Sequence, residues 1–425
     1  MERLRVDAQV ARELNRATVF DFVRTERVVS RVGLAEGTGL SKATISEIVD
    51  QFIRDGFLRT LGPGTSNGGR RPTMLEFAPR ARLAIGVELG DAVCRALLTD
   101  LNAEPIESRS VQVRARSAED ALAAAGDLVA ELAGNLTPGT LLGIGVGTPG
   151  LVDSRSGVIR VAPDLDWRDV PVGARLSERF GVPVAVVNRA KAAALGEDWC
   201  GAGREVHNLV YVSVSTGVAA GIVIDGRLYR GVSMSEGELG HVTVLPDGPL
   251  CPCGNRGCLQ TLAAGPAVVA RVREELRKRG SAAERPAQDA SDAPTLEAVA
   301  EAAAAGDQVV LRVLDEVAEY LGIAAANLVN TLNPGLLILG GSVVRALPDL
   351  VPKVRAVVRR RAMPVPTGAV TVVPSQLGRE AVTVGAAAFL LGQVSVVGSV
   401  GLRATGVPAP SIVRPPTRPE PAGVP

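Results

Sequence analysis

The sequence predicts a winged helix-turn-helix over residues 1–80, followed by a larger α/β domain over residues 83–396. Three helical patterns followed by two strand patterns give the order of elements in a winged helix-turn-helix. Beyond residue 83, apolar strand-like runs alternate with Ala-rich helical stretches, which is typical of an α/β fold with buried strands. Residues 397–425 contain many prolines and few residues that could pack, so a disordered tail is expected there.

Apolar spacing and capping residues place the N-terminal helices. Residues 8–24 carry apolar side chains at helical spacing, and Ser30 can cap a short second helix that ends at residues 37–39. Ser41 is a good cap for a third helix, which should end at Gly56. Two short strands should then flank a turn-rich loop, which is the position of a wing.

The third helix is the candidate recognition helix, because a helix-turn-helix places the start of its second motif helix in the major groove. Lys42 can reach a phosphate or a guanine edge, and hydroxyl groups at the helix start can donate to phosphate. A trihelical packing domain with solvated charges would show the same periodicity. The residues predicted to contact operator DNA are Ser41, Lys42, Ala43, Thr44 and Ser46 on the helix, and Arg70 and Arg71 on the wing.

Charge and hydropathy limit the other classes of function. The net charge is +1, with a small basic excess in residues 1–80, so overall charge gives no argument for nucleic-acid binding. No apolar run approaches the roughly 20 residues needed to span a bilayer, and the first residues form no apolar signal core. A cytoplasmic protein that does not contact membranes is therefore expected.

One histidine and three cysteines form a candidate metal site: His241, Cys251, Cys253 and Cys258. Imidazole and thiolate donors in a set of four suit tetrahedral Zn²⁺, and four protein ligands leave no position for a reactive water. The sequence therefore predicts structural zinc. Free buried thiols beside an unrelated histidine are the alternative.

The segment around these ligands, GVSMSEGELGHVTVLPDGPLCPCGNRGCLQTLAA, resembles the signature of the ROK family of sugar kinases and sugar-responsive repressors. GVGTPGLVD, NRAKAAALGE, STGVAAGIVIDGRLYRG and ANLVNTLNPGLLILGGSVV extend the resemblance from about residue 83 to residue 396. The N-terminal SRVGLAEGTGLSKATISEIVDQFIRDGFL resembles bacterial winged-helix repressors. Together the resemblances imply an actin-like, two-lobed body with a sugar in the cleft, a DNA-binding head that the family's kinases lack, and assembly as a homodimer or homotetramer.

Three departures from the family's kinases predict that this protein is not an enzyme. The kinases carry Asn-Asp where this chain has Asn188-Arg189, and the aspartate is the general base. Arginine stays protonated and cannot take a proton from a sugar hydroxyl. The first phosphate loop, residues 88–92, has lost its second glycine and its threonine, and the second loop, residues 215–221, is poorer in glycine.

The sugar-binding side matches the family better. The resemblance implies that Asn188, Glu238 and His241 contact sugar hydroxyls, with Gln260 in place of the family's glutamate. The alternative for Glu238 and Gln260 is a plain surface or capping role. Arg189 either binds a phosphate or carboxylate of the effector or forms a salt bridge with a neighbour such as Glu238. Asp164 is a further candidate for contact with the sugar.

These features predict a sequence-specific transcriptional regulator, by default a repressor of carbohydrate-metabolism genes. Its partners would be double-stranded operator DNA and a sugar or sugar-phosphate effector. One alternative is an ATP-dependent sugar kinase that also binds DNA. Another is a regulator with a silent pocket that responds to a protein partner. The predicted effector contacts are Asn188, Arg189, Glu238, His241 and Gln260.

Overall fold

The structure, a computed structural model, describes residues 8–64, 71–90, 92–113, 117–280 and 295–393. The predicted tail over residues 397–425 lies outside these ranges, as does Arg70. None of the helices in the described ranges is long and apolar enough to cross a membrane.

The N-terminal head, which consists of the described residues up to Phe77, combines helices with a small antiparallel sheet. Ser30 and Ser41 cap the second and third helices as the sequence predicts, because each hydroxyl accepts a hydrogen bond from the backbone N–H three residues ahead. Gly39, at φ 70°, ends the second helix. The elements are α1 (Ala8–Glu26), β1 (Val28–Ser30), α2 (Arg31–Thr38), α3 (Lys42–Arg54), β2 (Leu58–Pro63) and β3 (Thr73–Phe77).

An aromatic cluster holds the head together. The ring of Phe20 on α1 meets those of Phe52, Phe57 and Phe77 edge to face, with centroids 5.5–6.0 Å apart. These rings join α1, α3 and the sheet, in which β3 lies between β1 and β2. Five of the seven phenylalanines of the chain lie in or against this small core, since Phe22 packs against it as well.

The first lobe is built on a five-stranded sheet with the order β11-β7-β4-β5-β6. β4 pairs antiparallel with β5 and parallel with β7, and β7 pairs parallel with β11. The elements are β4 (Leu83–Glu88), β5 (Val93–Thr99), β6 (Pro105–Gln112), α4 (Ala118–Ala133), β7 (Leu141–Thr148), β8 (Leu151–Asp153), β9 (Val158–Ala162), β10 (Trp167–Val170), α5 (Val172–Phe180), β11 (Val184–Asn188) and α6 (Arg189–Cys200).

The second lobe repeats this topology with the order β14-β13-β12-β15-β16. β12 pairs antiparallel with β13 and parallel with β15, which pairs parallel with β16. The repetition confirms the expected two-lobed α/β architecture. The elements are β12 (Leu209–Val214), β13 (Val218–Ile224), β14 (Arg227–Leu228), α7 (Gln260–Ala263), α8 (Gly265–Gly280), α9 (Leu296–Ala304), α10 (Gln308–Leu332), β15 (Leu336–Gly340), α11 (Ser342–Ala346), α12 (Leu350–Arg361), α13 (Pro364–Ala369) and β16 (Thr371–Pro374). The last helix, α14 (Ala381–Gln393), returns to the first lobe and packs against its sheet.

Helices α6 and α14 cross at very close range, and glycine makes the crossing possible. A Cβ atom at Gly385 would lie 1.6 Å from the carbonyl oxygen of Ala192, and one at Gly196 would lie 2.4 Å from that of Ala381. The backbones themselves are therefore in contact at the crossing. α6 has little freedom to shift against α14 without moving it.

Replacing Gly385 with alanine should destabilise the protein by about 3 kcal/mol, because overpacking against backbone cannot be relieved by a side-chain rotation. Gly392→Ala is the matched control, since Gly392 lies on the same helix and its Cβ would meet nothing within 4 Å. Denaturant unfolding of both variants measures the difference. Equal stability of the two would contradict the close crossing.

The head packs directly on the body. Leu101 and Leu142 of the first lobe are buried in the same hydrophobic cluster as Phe52 and Leu75 of the head. The guanidinium of Arg24, near the end of α1, lies 4.4 Å from the ring centroid of Trp199 on α6, a cation–π contact. The head is therefore joined to the body by packed side chains as well as by the chain connection.

Candidate metal centre, effector cleft and DNA-binding surface

The four predicted metal ligands come together. The ligand atoms of His241, Cys251, Cys253 and Cys258 all lie within 4.8 Å of one another. Two single-residue β-bridges close the loop that carries them, and Gly257, at φ 63°, allows its tightest turn, because a Cβ there would lie 1.5 Å from a backbone oxygen. The cluster can hold a metal ion.

The protein surroundings shift the pKa values of two of the three thiols in opposite directions. The backbone N–H of Asn255 lowers the pKa of Cys253 to about 7, whereas burial raises the pKa of Cys258 to about 12. A bound cation would favour the thiolate form of all three cysteines, as metal binding to such sites requires.

Gln260 lies against the metal cluster. Its Nε2 donates to Cys251 Sγ at 3.4 Å, and it begins α7 two residues after Cys258, the last cysteine of the motif. His241 turns Nδ1 towards Cys251 Sγ, at 3.6 Å, which leaves Nε2 for another partner. A contact between Gln260 and a sugar stays a prediction.

Asn188 is the N-cap of α6. Its Oδ1 accepts from the backbone N–H of Ala190 at 2.8 Å, and its Nδ2 donates to the carbonyl of Gly150 at 3.0 Å. The side chain therefore connects α6 to the turn before β8. Residues Ala190–Asp198 of α6 are buried, so this helix forms part of the interior of the body.

Lys191 is a functional candidate that the sequence analysis missed. Its Nζ lies 2.6 Å from Glu236 Oε1, and it donates to the carbonyl of Met234 at 2.7 Å. Both charged side chains are almost fully buried. The pair ties α6 to the loop that leads into Glu238. The helical pattern around Lys191 did not predict this contact, because Glu236 lies 45 residues further along the chain.

Arg189 and Glu238 do not form the salt bridge that the sequence left open. Arg189 is half-buried, and neither residue has an ion-pair partner within the described ranges. Desolvation raises the pKa of Glu238, and the nearby His241 and Lys191 only partly offset this. Arg189 thus remains available for a ligand. The side chain of Asp164 lies outside what the structure describes.

Two residues of the loops that match the family's phosphate loops in sequence contact other parts of the protein. Glu88 of the first loop forms a salt bridge with Arg95, at 2.7 Å. The hydroxyl of Ser215, in the second loop, accepts from the backbone N–H of Ser342 at 3.0 Å. Asp91 lies outside the described residues.

The start of α3 is presented to solvent. Ser41, Lys42 and Ala43 are exposed, while Thr44 and Ser46 are half-buried. Ser41 Oγ and Thr44 Oγ1 lie 2.9 Å apart. The predicted wing residue Arg71 is exposed as well.

Arg31 fixes α2 against α3. Its guanidinium donates to the carbonyl oxygen of Ser46 at 3.2 Å and to Asp50 Oδ1 at 2.6 Å. The two helices of the motif therefore hold a fixed angle, which a recognition helix needs.

The fold and these sites define a class of protein: a helix-turn-helix head on a two-lobed, sugar-kinase-like body with a histidine–cysteine cluster. Residues 84–393 match the model of the ROK family. The xylose repressor of Bacillus spizizenii is 32% identical over 387 residues, which cover 91% of this chain and 97% of the repressor. The chain belongs to the ROK family.

Solved structures give the same result. A ROK family transcriptional regulator, described as a homologue of the Escherichia coli MLC protein, aligns with a TM-score of 0.76 at 27% identity, over 89% of this chain and 96% of that one. A ROK family glucokinase from Streptomyces griseus, in complex with glucose and AMPPNP, aligns with a TM-score of 0.63 at 30% identity, over 72% of this chain and 98% of the kinase.

Proposed function

We propose that this protein is a DNA-binding transcriptional regulator, by default a repressor of carbohydrate-metabolism genes, whose operator affinity changes when a sugar binds in the cleft. The observation that carries the proposal is the exposed start of α3 on a head packed against a sugar-kinase-like body. The similarity to the xylose repressor supports the proposal, because the alignment includes both the head and the body of this chain. The division into a head over residues 1–80 and a body over 83–396 is part of this proposal.

The kinase alternative is disfavoured by two features of the cleft. Arg189 occupies the position of the general base, and loss of a positioned base costs roughly 10² to 10⁴ in rate. Glu88 is paired with Arg95 instead of lying free at the phosphate loop. The glucokinase similarity covers the body only, which fits a shared fold without a shared reaction.

We therefore expect no sugar-dependent ATP turnover. A coupled ADP-release assay with a panel of neutral sugars tests this, with a ROK glucokinase as the positive control. A turnover number above about 1 s⁻¹, the lower end of ordinary enzymes, would establish the bifunctional alternative.

Zinc is the metal we propose for the cluster, held by His241, Cys251, Cys253 and Cys258. Tetrahedral zinc would set two sulfurs roughly 3.8 Å apart, and sulfur and nitrogen roughly 3.6 Å apart. Cys253 Sγ and Cys258 Sγ lie 3.7 Å apart, and His241 Nδ1 lies 3.6 Å from Cys251 Sγ. Both distances support zinc. The ion would hold the His241 ring through Nδ1 and leave Nε2 for a second partner.

Helix α6 is the proposed link between the cleft and the head. Asn188 and Arg189 lie at its start, and Trp199, which contacts Arg24 of the head, lies at its end. Near that end, Glu197 accepts hydrogen bonds from Ser375 Oγ and other donors, so the helix is anchored in the body. A ligand that shifts the start of this rigid helix would move the surface on which the head rests.

In an assembly of two or four copies, paired heads would read half-sites about one helical turn apart, roughly 34–36 Å. Small changes in the seating of each head would then alter this spacing. In a regulator controlled by a protein partner, α6 would link head and body in the same way. Sugars would then not stabilise the folded protein.

Replacing Lys42 with alanine should weaken binding to the operator about tenfold, because one exposed cation at the start of α3 is lost. If Lys42 contacts a phosphate, the slope of log affinity against log salt should fall by about 1. Fluorescence anisotropy with the upstream DNA of the gene measures both. Lys278→Ala, which removes the same charge from α8, should leave them unchanged, and equal losses for both variants would contradict a role for α3.

A further inference from the structure

Strand β6 (Pro105–Gln112) is the outer strand of the first lobe's sheet, and one of its edges is free. In the order β11-β7-β4-β5-β6 it pairs with β5 on one side, and no strand of the described ranges pairs with it on the other. All of its residues are exposed, including the large apolar side chains of Ile106 and Val111. An exposed edge strand of this length is a template for pairing with another chain.

Alternate residues of β6 direct their backbone groups to the free edge. The N–H of Val113, one residue beyond the strand, donates to the carbonyl of Ala92 at 2.8 Å, and the register is unbroken from there back to Glu107. Bonded pairs alternate in an antiparallel ladder, so every second residue bonds to β5 and those between face outward. The residues that face outward are Ser108, Ser110 and Gln112.

The carbonyl of Ser108 agrees with this assignment. It accepts a hydrogen bond at 2.9 Å from the guanidinium of Arg109, a side chain of the same strand. The side chain thus supplies a donor at the edge where a neighbouring strand would supply a backbone N–H. The backbone at the centre of β6 is therefore able to accept a further strand.

The charges on β6 are complementary to those of a second copy of the same strand. Glu107 and Arg109 lie on one face and form a salt bridge with each other. If two copies pair antiparallel about a two-fold axis at Ser108, Glu107 of each copy lies opposite Arg109 of the other. An axis at either charged residue would instead place like charges opposite each other, which destabilises a strand pair. Only the axis at Ser108 pairs the opposite charges across the strands.

We propose that β6 is a self-association surface, on which a second copy of this chain adds its own β6 antiparallel, with Ser108 on the two-fold axis. The two five-stranded sheets would then form one ten-stranded sheet. Ser108 of each copy would exchange backbone hydrogen bonds with its counterpart, and two Glu107–Arg109 pairs would flank the axis.

The position of the head gives this contact a consequence for assembly. Leu101, in the turn between β5 and β6, is buried in the core of the head. Antiparallel pairing would therefore place the two heads at opposite ends of the shared ladder. The proposed function expects two or four copies without naming the surface that joins them, so it stands if this contact fails.

Exchange of the two charges tests the pairing. Arg109→Glu should weaken assembly of the full-length, zinc-loaded protein about tenfold or more, because it places two carboxylates opposite each other on both sides of the axis. Combining it with Glu107→Arg restores opposite charges and should restore assembly. Arg168→Glu, an exposed change of equal charge on β10 of the same lobe, is the control. Sedimentation at fixed salt measures the particle mass, which should halve for the single variant alone.

Cysteines at the edge test the position of the axis. Ser108→Cys should give a disulfide-linked dimer with oxidised glutathione, because the two Cα atoms would lie roughly 5.5 Å apart. Ser110→Cys faces the same edge and is the matched control, since its two copies would lie roughly 14 Å apart, too far for a disulfide. The unaltered protein reports any linkage through its native cysteines.

Four outcomes would overturn the proposal. They are an unaltered protein that sediments as a monomer, an Arg109→Glu variant that assembles normally, a double variant that stays dissociated, and equal linkage through positions 108 and 110. Each leaves the proposed function intact, because operator binding and its response to sugar are measured separately.

Discussion

Replacing Cys258 with serine should abolish zinc binding and lower the melting temperature of the full-length protein by about 6–12 °C. Cys258 is buried, and its sulfur lies 3.7 Å from that of Cys253. Loss of one of four ligands releases the ion, and the binding free energy of structural zinc contributes directly to folding. A loss of about 3 kcal/mol corresponds to a shift of this size in a domain of 150–250 residues.

Loss of the metal should also weaken sugar binding in the cleft. His241 is held by the cluster, and Glu238 lies three residues before it at the start of the same short turn. The variant should therefore bind sugar at least about tenfold more weakly, the usual effect of losing support around a metal site. Metal analysis, thermal melting and ligand titration measure the three effects on one preparation.

Cys200→Ser is the matched control for the zinc experiment. Cys200 is half-buried, and its sulfur contacts the carbonyls of Asn102 and Ala103, away from the cluster. This variant should keep one zinc per chain and its response to sugar. Stoichiometric zinc in the Cys258 variant, or an unchanged melting temperature without zinc, would contradict a structural metal at these four residues.

Replacing Trp199 with leucine should uncouple the head from the cleft. The cation–π contact with Arg24 is lost, while the aliphatic side chain can still pack against its apolar neighbours Leu97 and Val384. Sugar and operator should each bind with nearly normal affinity when measured alone. The ratio of operator affinities with and without sugar should fall from about fivefold or more to near one.

The phenylalanine variant separates the contact from simple packing. Trp199→Phe keeps an aromatic face for the Arg24 guanidinium and should retain most of the coupling, whereas Arg24→Gln should lose it. The side chain of Arg24 is only 12% exposed and lies between Asp21 of the head, 3.5 Å away, and Trp199 of the body. A leucine variant whose affinity ratio stays at the wild-type value would exclude α6 and Trp199 as the route of coupling.

Local signals in the sequence predicted much of the structure. Ser30 and Ser41 begin helices because a hydroxyl before an amphipathic run satisfies the first free N–H groups. The spacing of His241 and Cys251 to Cys258 predicted a cluster, because short turns bring nearby donors together. The alternation of strand and helix patterns predicted an α/β body, and the resemblance to the ROK family predicted its two lobes.

The contacts that the sequence did not reveal all join distant segments. Lys191 and Glu236 are 45 residues apart, and Arg24 and Trp199 are farther still, so neither pair leaves a periodic trace. The hydrogen bond from the Gln260 amide to Cys251 Sγ was not predicted either, whereas its contact with a sugar stays a prediction. Such partners depend on how the lobes pack, which local patterns do not encode.

Binding of the purified protein to its own upstream DNA, at fixed salt and with or without sugars, tests the central claim most directly. Fixed salt is required because phosphate contacts make the affinity depend steeply on ionic strength. The account predicts specific binding that one sugar of the panel shifts by about fivefold or more. Absence of specific DNA binding, or binding that no sugar of the panel alters, would contradict it.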